Sequence, residues 1–238
     1  HKKPMTHRPL SDQIALVTGA SRGIGAATAK ALAEAGAHVI LVARTATDLD
    51  KVEEQIYQKG GSATIAPLDI TNSGSCHHLA AAISSRWPAL DIMVFAAARY
   101  EAQPSIAAAS PALQQMLAVN ALATQDLLSR FDPLIQESRS AHIIGLTLPK
   151  SQAPYPYNGS YYASKMAMEA ILLSYGAENA KRDTIKVALA ELEAVATEGR
   201  KRAFPDEKAD LLRSPDEVAK AIVTMIVQDY ANGWQGKL

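Results

Sequence analysis

A short apolar run, Ile14-Ala15-Leu16-Val17, passes through Thr18 into three glycines, Gly19, Gly23 and Gly25, and then into alanine-rich sequence. That order constrains the chain more than any other feature. A strand must turn tightly into a helix, and the helix must begin at the turn. Gly19 is placed to take a positive φ, while Gly23 and Gly25 have no Cβ to obstruct a diphosphate approaching the helix N-terminus. Free amides and the helix dipole there favour an anion. The spacing is Thr-Gly-x-x-x-Gly-x-Gly, not the commoner Gly-x-Gly-x-x-Gly. Glycine-rich turns also merely connect strands to helices; the strand before and the helix after favour nucleotide binding.

The same alternation continues along the chain. His38 to Ala43 reads as a second strand, Asp48 to Lys59 as a helix ending at Gly60-Gly61, and Ala63 to Leu68 as a third strand. Ser75 to Arg86 is a helix that stops before Pro88, Asp91 to Ala97 a fourth strand, and Leu113 to Phe131 one helix with a buried apolar stripe. Ala141 to Leu148 is a fifth strand, Tyr161 to Lys181 a long helix, and Ile185 to Ala190 a sixth strand. Ser214-Pro215-Asp216-Glu217 carries the cap, proline and acid of a last helix, and Gly236 to Leu238 starts a seventh strand. The strands are apolar without alternation, as in sheets covered on both faces. The expectation is an α/β fold, a doubly wound parallel sheet of Rossmann type, formed by residues 11–238 as a single domain. Residues 1–10 form a polar arm, either native or appended ahead of Met5.

Composition narrows the partners. Lys and Arg number 24 and Asp and Glu 24, for a formal net charge of zero. Nothing global favours nucleic acid or an anionic membrane, so a small neutral molecule fits better. The lone Cys76 cannot form an intrachain disulfide, and no cysteine or histidine spacing suggests a metal site, so none is expected. No apolar run nears the roughly 18 residues of a membrane span, and a cytoplasmic protein is the default.

Two sets of side chains carry chemistry. Arg44 directly follows the second strand, where the adenosine ribose of a dinucleotide would lie, and a carboxylate that would take the 2′-hydroxyl is missing. Arg22 sits inside the glycine turn. Either arginine alone is as well explained as a solvated charge; together they suit a 2′-phosphate, and hence NADP(H) over NAD(H). Asp69, after the third strand, is placed to accept from an adenine amino group or to serve as a turn residue. Tyr161 and Lys165 are one helical turn apart on one face. An ammonium beside a phenol lowers its pKa and makes it a usable acid or base, although the pair also arises by chance on surface helices.

Thr18 to Gly25 (TGASRGIG), Asp69-Ile70, Asn120 and Tyr161-Tyr-Ala-Ser-Lys165 together resemble the short-chain dehydrogenases/reductases, from about residue 12 to the end of the chain. The resemblance implies reversible carbonyl reduction by hydride transfer from NAD(P)H. Tyr161 would be the general acid, Lys165 would bind the nicotinamide ribose and lower the tyrosine pKa, and Asn120 would hold a relay water. Gly19, Ser21, Arg22, Gly23, Ile24, Gly25, Arg44, Asp69, Ile70, Lys165 and Thr197 would bind the cofactor. Homodimers or homotetramers built on the helices Leu113 to Phe131 and Tyr161 to Lys181 are implied as well.

Departures from the family pattern are equally specific. Phe95-Ala96-Ala97-Ala98 replaces Asn-Asn-Ala-Gly, removing polar groups that steady the strand and cofactor, and Leu192-Glu193 replaces Pro-Gly. Leu148, thirteen residues before Tyr161, stands where the family places the serine that binds the substrate carbonyl. Thr147 should face away, and Ser151 substitutes only if its loop folds back. Losing one such donor costs about 10² to 10³ in rate, which predicts slow chemistry. The competing expectation is an idle NADP(H)-binding protein acting as a sensor or interaction partner. Arg99 to Ser105, Pro149 to Gly159 and Glu198 to Arg213 should wall the substrate site, with Tyr100, Tyr155, Tyr157 and Phe204 suiting an apolar carbonyl or alcohol.

Overall fold

The computed structural model describes residues 7–238; the first six residues of the polar arm lie outside it. Seven parallel strands form one sheet in the order β3-β2-β1-β4-β5-β6-β7. They are β1 (Ile14–Thr18), β2 (His38–Ala43), β3 (Ser62–Pro67), β4 (Ile92–Phe95), β5 (Ala141–Thr147), β6 (Ile185–Glu191) and β7 (Trp234–Lys237). Between them run α1 (Gly23–Glu34), α2 (Ala46–Gln58), α3 (Ser73–Ser84), α4 (Ala112–Leu117), α5 (Ala123–Gln136), α6 (Gly159–Glu178), α7 (Glu198–Ala203) and α8 (Pro215–Gln228).

Chain order reverses between β1 and β4, which are hydrogen-bonded neighbours although two strands separate them in sequence. Neighbouring crossovers therefore leave in opposite directions, and a crevice opens beyond the strand C-termini. Every residue of β1, β4 and β5 is buried, which explains their unbroken apolar sequence. Two cores result, one on each face. Ala15, Val17, Leu32, Val39, Leu41 and Ile222 belong to one, and Leu16, Ile40, Met93, Leu127, Phe131 and Leu172 to the other.

The structure corrects the sequence reading in two places. Leu10, assigned to the polar arm, is only 3% exposed and belongs to the core, its amide donating to Ala35 O at 2.8 Å. The expected single helix from Leu113 to Phe131 is instead α4 and α5 joined by a π-turn, Ala118–Leu122. An apolar stripe has nearly the same period either way, so hydrophobicity could not reveal the extra residue. The break matters because it contains Asn120, which it holds inside the protein at 2% exposure.

Candidate active site

The turn after β1 is set by contacts that leave no room for side chains. Gly19 has φ +62°, and a Cβ there would lie 2.8 Å from the Ala97 backbone. Gly25 plays a different part from the one its sequence position suggests. A Cβ on it would meet Gly19 O at 2.0 Å, so its bareness lets α1 close onto the turn and does not clear a path for a ligand. Gly23 is the open position: φ is +57°, and a Cβ would meet nothing nearer than Thr197 Cγ2 at 3.5 Å. The α1 N-cap, Arg22, supplies no side-chain hydrogen bond, and no acid lies in the first turn. Its first amides therefore remain available to an anion. Ser21 is half-buried in the turn, and Ile24 packs against the core.

Thr18 accounts for the substituted segment after β4. Its Oγ1 accepts from the amides of Ala96 and Ala97, each at 3.1 Å. The expected loss of steadying contacts at Phe95-Ala98 is thus offset from β1, while Phe95 joins the core at 5% exposure. Among the described residues Arg22 and Arg44 are exposed and in no ion pair. Asp69 Oδ1 accepts from the Thr71 amide and hydroxyl at 2.9 and 2.7 Å, which lowers its pKa, with Arg44 contributing. It is therefore a turn residue, with Oδ2 outside these bonds. Ile70 packs on the core, and its carbonyl accepts from Cys76 Sγ at 3.4 Å. Thr197 caps α7, accepting from the Arg200 amide at 3.0 Å, and its methyl faces Gly23.

Asn120 ties the β4 loop to α6. Its Oδ1 accepts from the Arg99 amide at 2.8 Å, and its Nδ2 donates to Arg99 O and to Ser164 Oγ, both at 2.9 Å. Ser164 Oγ in turn donates to Tyr161 O at 2.7 Å. The Asn120 side chain is thereby spent on structure, so a relay water would have to use its backbone. Ser164, whose role had no separate sequence signal beyond its place in Tyr-x-x-Ser-Lys, is fully buried.

Tyr161 and Lys165 share α6 but are held differently from expectation. Lys165 is 5% exposed and donates to Leu146 O at 2.7 Å. Burial lowers its pKa to about 8, opposed by Glu169, whose carboxylate also accepts from Thr147 Oγ1. Tyr161 is moved the other way, up to about 12: burial is the chief cause, the Tyr155 and Tyr100 hydroxyls add to it, and Arg200 opposes it. The lysine's ammonium is thus directed to the β5 backbone.

Three loops close over the phenol. The Tyr100 ring meets Tyr161 edge-on, with centroids 5.1 Å apart, and Phe204 lies 6.1 Å from Tyr100. The Arg200 guanidinium stacks 3.8 Å over Phe204 and is held by both oxygens of Glu207. Asn158, 1% exposed, accepts from the Tyr155 amide, and Gln103 donates to Tyr157 O and to Ser160 Oγ, clamping two of the loops together. Tyr157 itself is 61% exposed and does not join the wall. Ser151 is exposed, in a turn closed by the Gln152 amide on Pro149 O, and Thr147 is engaged with Glu169. Neither replaces the hydroxyl missing at Leu148. Arg200 was not legible in advance: it lies in a basic run, Gly199 to Arg202, that reads as solvated charge.

Comparison with known proteins bears on the family and the fold. The short chain dehydrogenase family model matches residues 13–208. An uncharacterized oxidoreductase of Mycobacterium tuberculosis is 29% identical over 90% of the chain, which spans 64% of that relative's length. A fatty acyl-CoA reductase of Acinetobacter baylyi is 30% identical over 91% of the chain and 73% of its own. A Shigella flexneri short chain dehydrogenase solved with NADP superposes with a TM-score of 0.89 at 26% identity, covering 97% of this chain and 98% of that one.

Proposed function

The chain belongs to the short chain dehydrogenase family, and we propose that it is an NADP(H)-dependent oxidoreductase that interconverts a small or medium apolar carbonyl compound and its alcohol. The observation that carries this reading is the Tyr161 phenol, set beyond the strand C-termini and packed edge-on by Tyr100, on which Phe204 lies in turn. The residues present fit the cofactor: the α1 amides at Gly23 would take the diphosphate, and Arg22 and Arg44 the 2′-phosphate. Asp69 Oδ2 would meet the adenine amino group, and Thr197 the carboxamide. The Lys165 ammonium has three protons and gives one to Leu146 O, leaving two for ribose hydroxyls. When bound, NADPH supplies the hydride.

Tyr161 donates the proton that completes the alcohol as the carbonyl carbon is reduced. With its pKa near 12, the phenol stays protonated throughout the neutral range, which suits reduction and leaves little phenolate for alcohol oxidation. Homodimers or homotetramers through α5 and α6 remain part of the proposal, testable by light scattering.

A second reading, an idle NADP(H)-binding protein, draws on Leu148 and on the Lys165 ammonium being turned to Leu146. The two separate on Tyr161→Phe. The enzyme reading expects NADPH-linked carbonyl turnover in the wild type that falls by about 10² to 10⁴ in the variant, with NADPH still raising its Tm. Turnover equal in both proteins removes Tyr161 from the chemistry; NADPH binding without turnover in either supports the idle protein.

A further inference from the structure

Lys165 is buried in α6 at 5% exposure, yet its use to a cofactor is as a charged donor to ribose hydroxyls. Burial works against that charge. We propose, on the NADP(H) reading of the site, that Glu169 is a positioning residue: clamped to β5 by Thr147, its carboxylate keeps Lys165 in the charged form that binds the cofactor.

Two hydrogen bonds carry this. Leu146 and Thr147 are the last two residues of β5. Lys165 Nζ donates to Leu146 O at 2.7 Å, and Thr147 Oγ1 donates to Glu169 Oε1 at 2.5 Å. Lys165 and Glu169 are four residues apart in α6, so they share a face one turn apart, and adjacent residues of β5 tie both of them down. Glu169 is half-buried and Thr147 is 5% exposed, so releasing the carboxylate would strand a buried hydroxyl. Thr147 thus serves the α6 side of the strand, although it adjoins the position of the missing serine. The remaining titratable groups near the pair are few. On α6 itself, Tyr161 lies one turn before Lys165. From β6, Glu191 is the register partner of Thr147, but its Oε1 accepts from the Lys150 amide in the loop after β5. β5 brings only His142, at its far end, and α4 and the π-turn, which pack on α6, carry no charge. α5 meets α6 further along, where Asp132 accepts from Tyr175. Glu169 is accordingly the charge that opposes burial in setting the Lys165 pKa.

The experiment compares wild type with Glu169→Gln, which keeps the acceptor and loses the charge, Thr147→Val, which loses the clamp, and Thr147→Ser, which restores it. Thermal stability of the cofactor-free proteins is followed across pH, with Lys165→Met identifying the limb that belongs to the lysine, and NADPH is titrated calorimetrically at pH 6 and pH 8. Wild-type stability should begin its alkaline rise at about pH 8, and Glu169→Gln about one pH unit lower. NADPH affinity relative to wild type should then fall about 5-fold at pH 8 and return to near parity at pH 6, where the ammonium re-forms. Thr147→Val should shift both readouts in the same direction, and Thr147→Ser should match wild type. A stability curve unchanged in Glu169→Gln overturns the proposal, as does an affinity loss equal at the two pH values, which would make Glu169 merely structural. A shift in Glu169→Gln that Thr147→Val does not share removes the clamp and overturns it too. If wild type binds no NADPH at either pH, the cofactor reading itself fails, while the stability curves still decide whether Glu169 acts on Lys165.

Discussion

The Lys165 ammonium donates to the carbonyl of Leu146 at 2.7 Å, crossing from α6 to the last turn of β5 while its pKa falls to about 8. Burial causes that fall, so the folded protein holds fewer protons than the unfolded chain between pH 8 and the ordinary 10.5 of a lysine. Stability therefore rises with pH across that window, and the cost of the buried charge is fully present below it. A drop of that size corresponds to about 3 kcal/mol. Lys165→Met is expected to stabilise the cofactor-free protein at neutral pH by about 2 kcal/mol, after allowing for the Leu146 carbonyl left without its donor. Thermal denaturation across pH checks this: the variant should lose the alkaline rise, and an unchanged slope would count against the buried ammonium.

Two glycines with one residue between them should respond differently to one methyl group. Gly25→Ala puts a Cβ 2.0 Å from Gly19 O, so α1 cannot seat against the turn, and little folded protein is expected. Gly23→Ala meets only Thr197 Cγ2 at 3.5 Å, and its cost is the left-handed backbone, about 1 to 2 kcal/mol. It should fold and lose NADPH affinity. Chemical denaturation and NADPH titration of both variants test the distinction.

Arg44 is exposed, follows β2 and contributes to lowering the Asp69 pKa. If it takes the 2′-phosphate, Arg44→Ala should weaken NADPH by about 10- to 100-fold, the range of a charge-assisted hydrogen bond, and leave NADH nearly unchanged. Calorimetric titration with both dinucleotides reads the ratio. Equal losses for the two would place Arg44 elsewhere.

Thr18 holds two amides of the β4 loop through one hydroxyl oxygen, at 1% exposure. Thr18→Val preserves the shape and removes the acceptor, stranding Ala96 N and Ala97 N at a cost of about 1 to 3 kcal/mol. Thr18→Ser should recover much of it. Urea denaturation of the three proteins is the measurement; a valine variant as stable as wild type would show that the loop is held by packing alone.

The element pattern was open to reading because each strand is buried on both faces and each crossover announces its helix locally. β2 was predicted to the residue, and the Ser214 cap of α8 behaves as its sequence implies, accepting from the Glu217 amide at 3.1 Å. The π-turn at Asn120 was hidden, since one inserted residue barely shifts an apolar stripe. Gln103 was hidden for another reason: it acts through Tyr157 and Ser160, distant in sequence, and local pattern carries no record of such pairs.

The amino-acid sequence by itself determined the doubly wound sheet, the glycine turn at the head of α1 and the presence of a tyrosine and lysine on one face of α6. Those are properties of short segments, governed by burial period, backbone freedom and helical spacing. Only tertiary structure decided that Gly25 serves the turn instead of a ligand, that Lys165 is directed to Leu146, and that the Tyr161 phenol is made less acidic. Each of those depends on what the rest of the chain brings within a few ångströms, and neither solvation nor electrostatic field at a site can be summed from its neighbours in sequence.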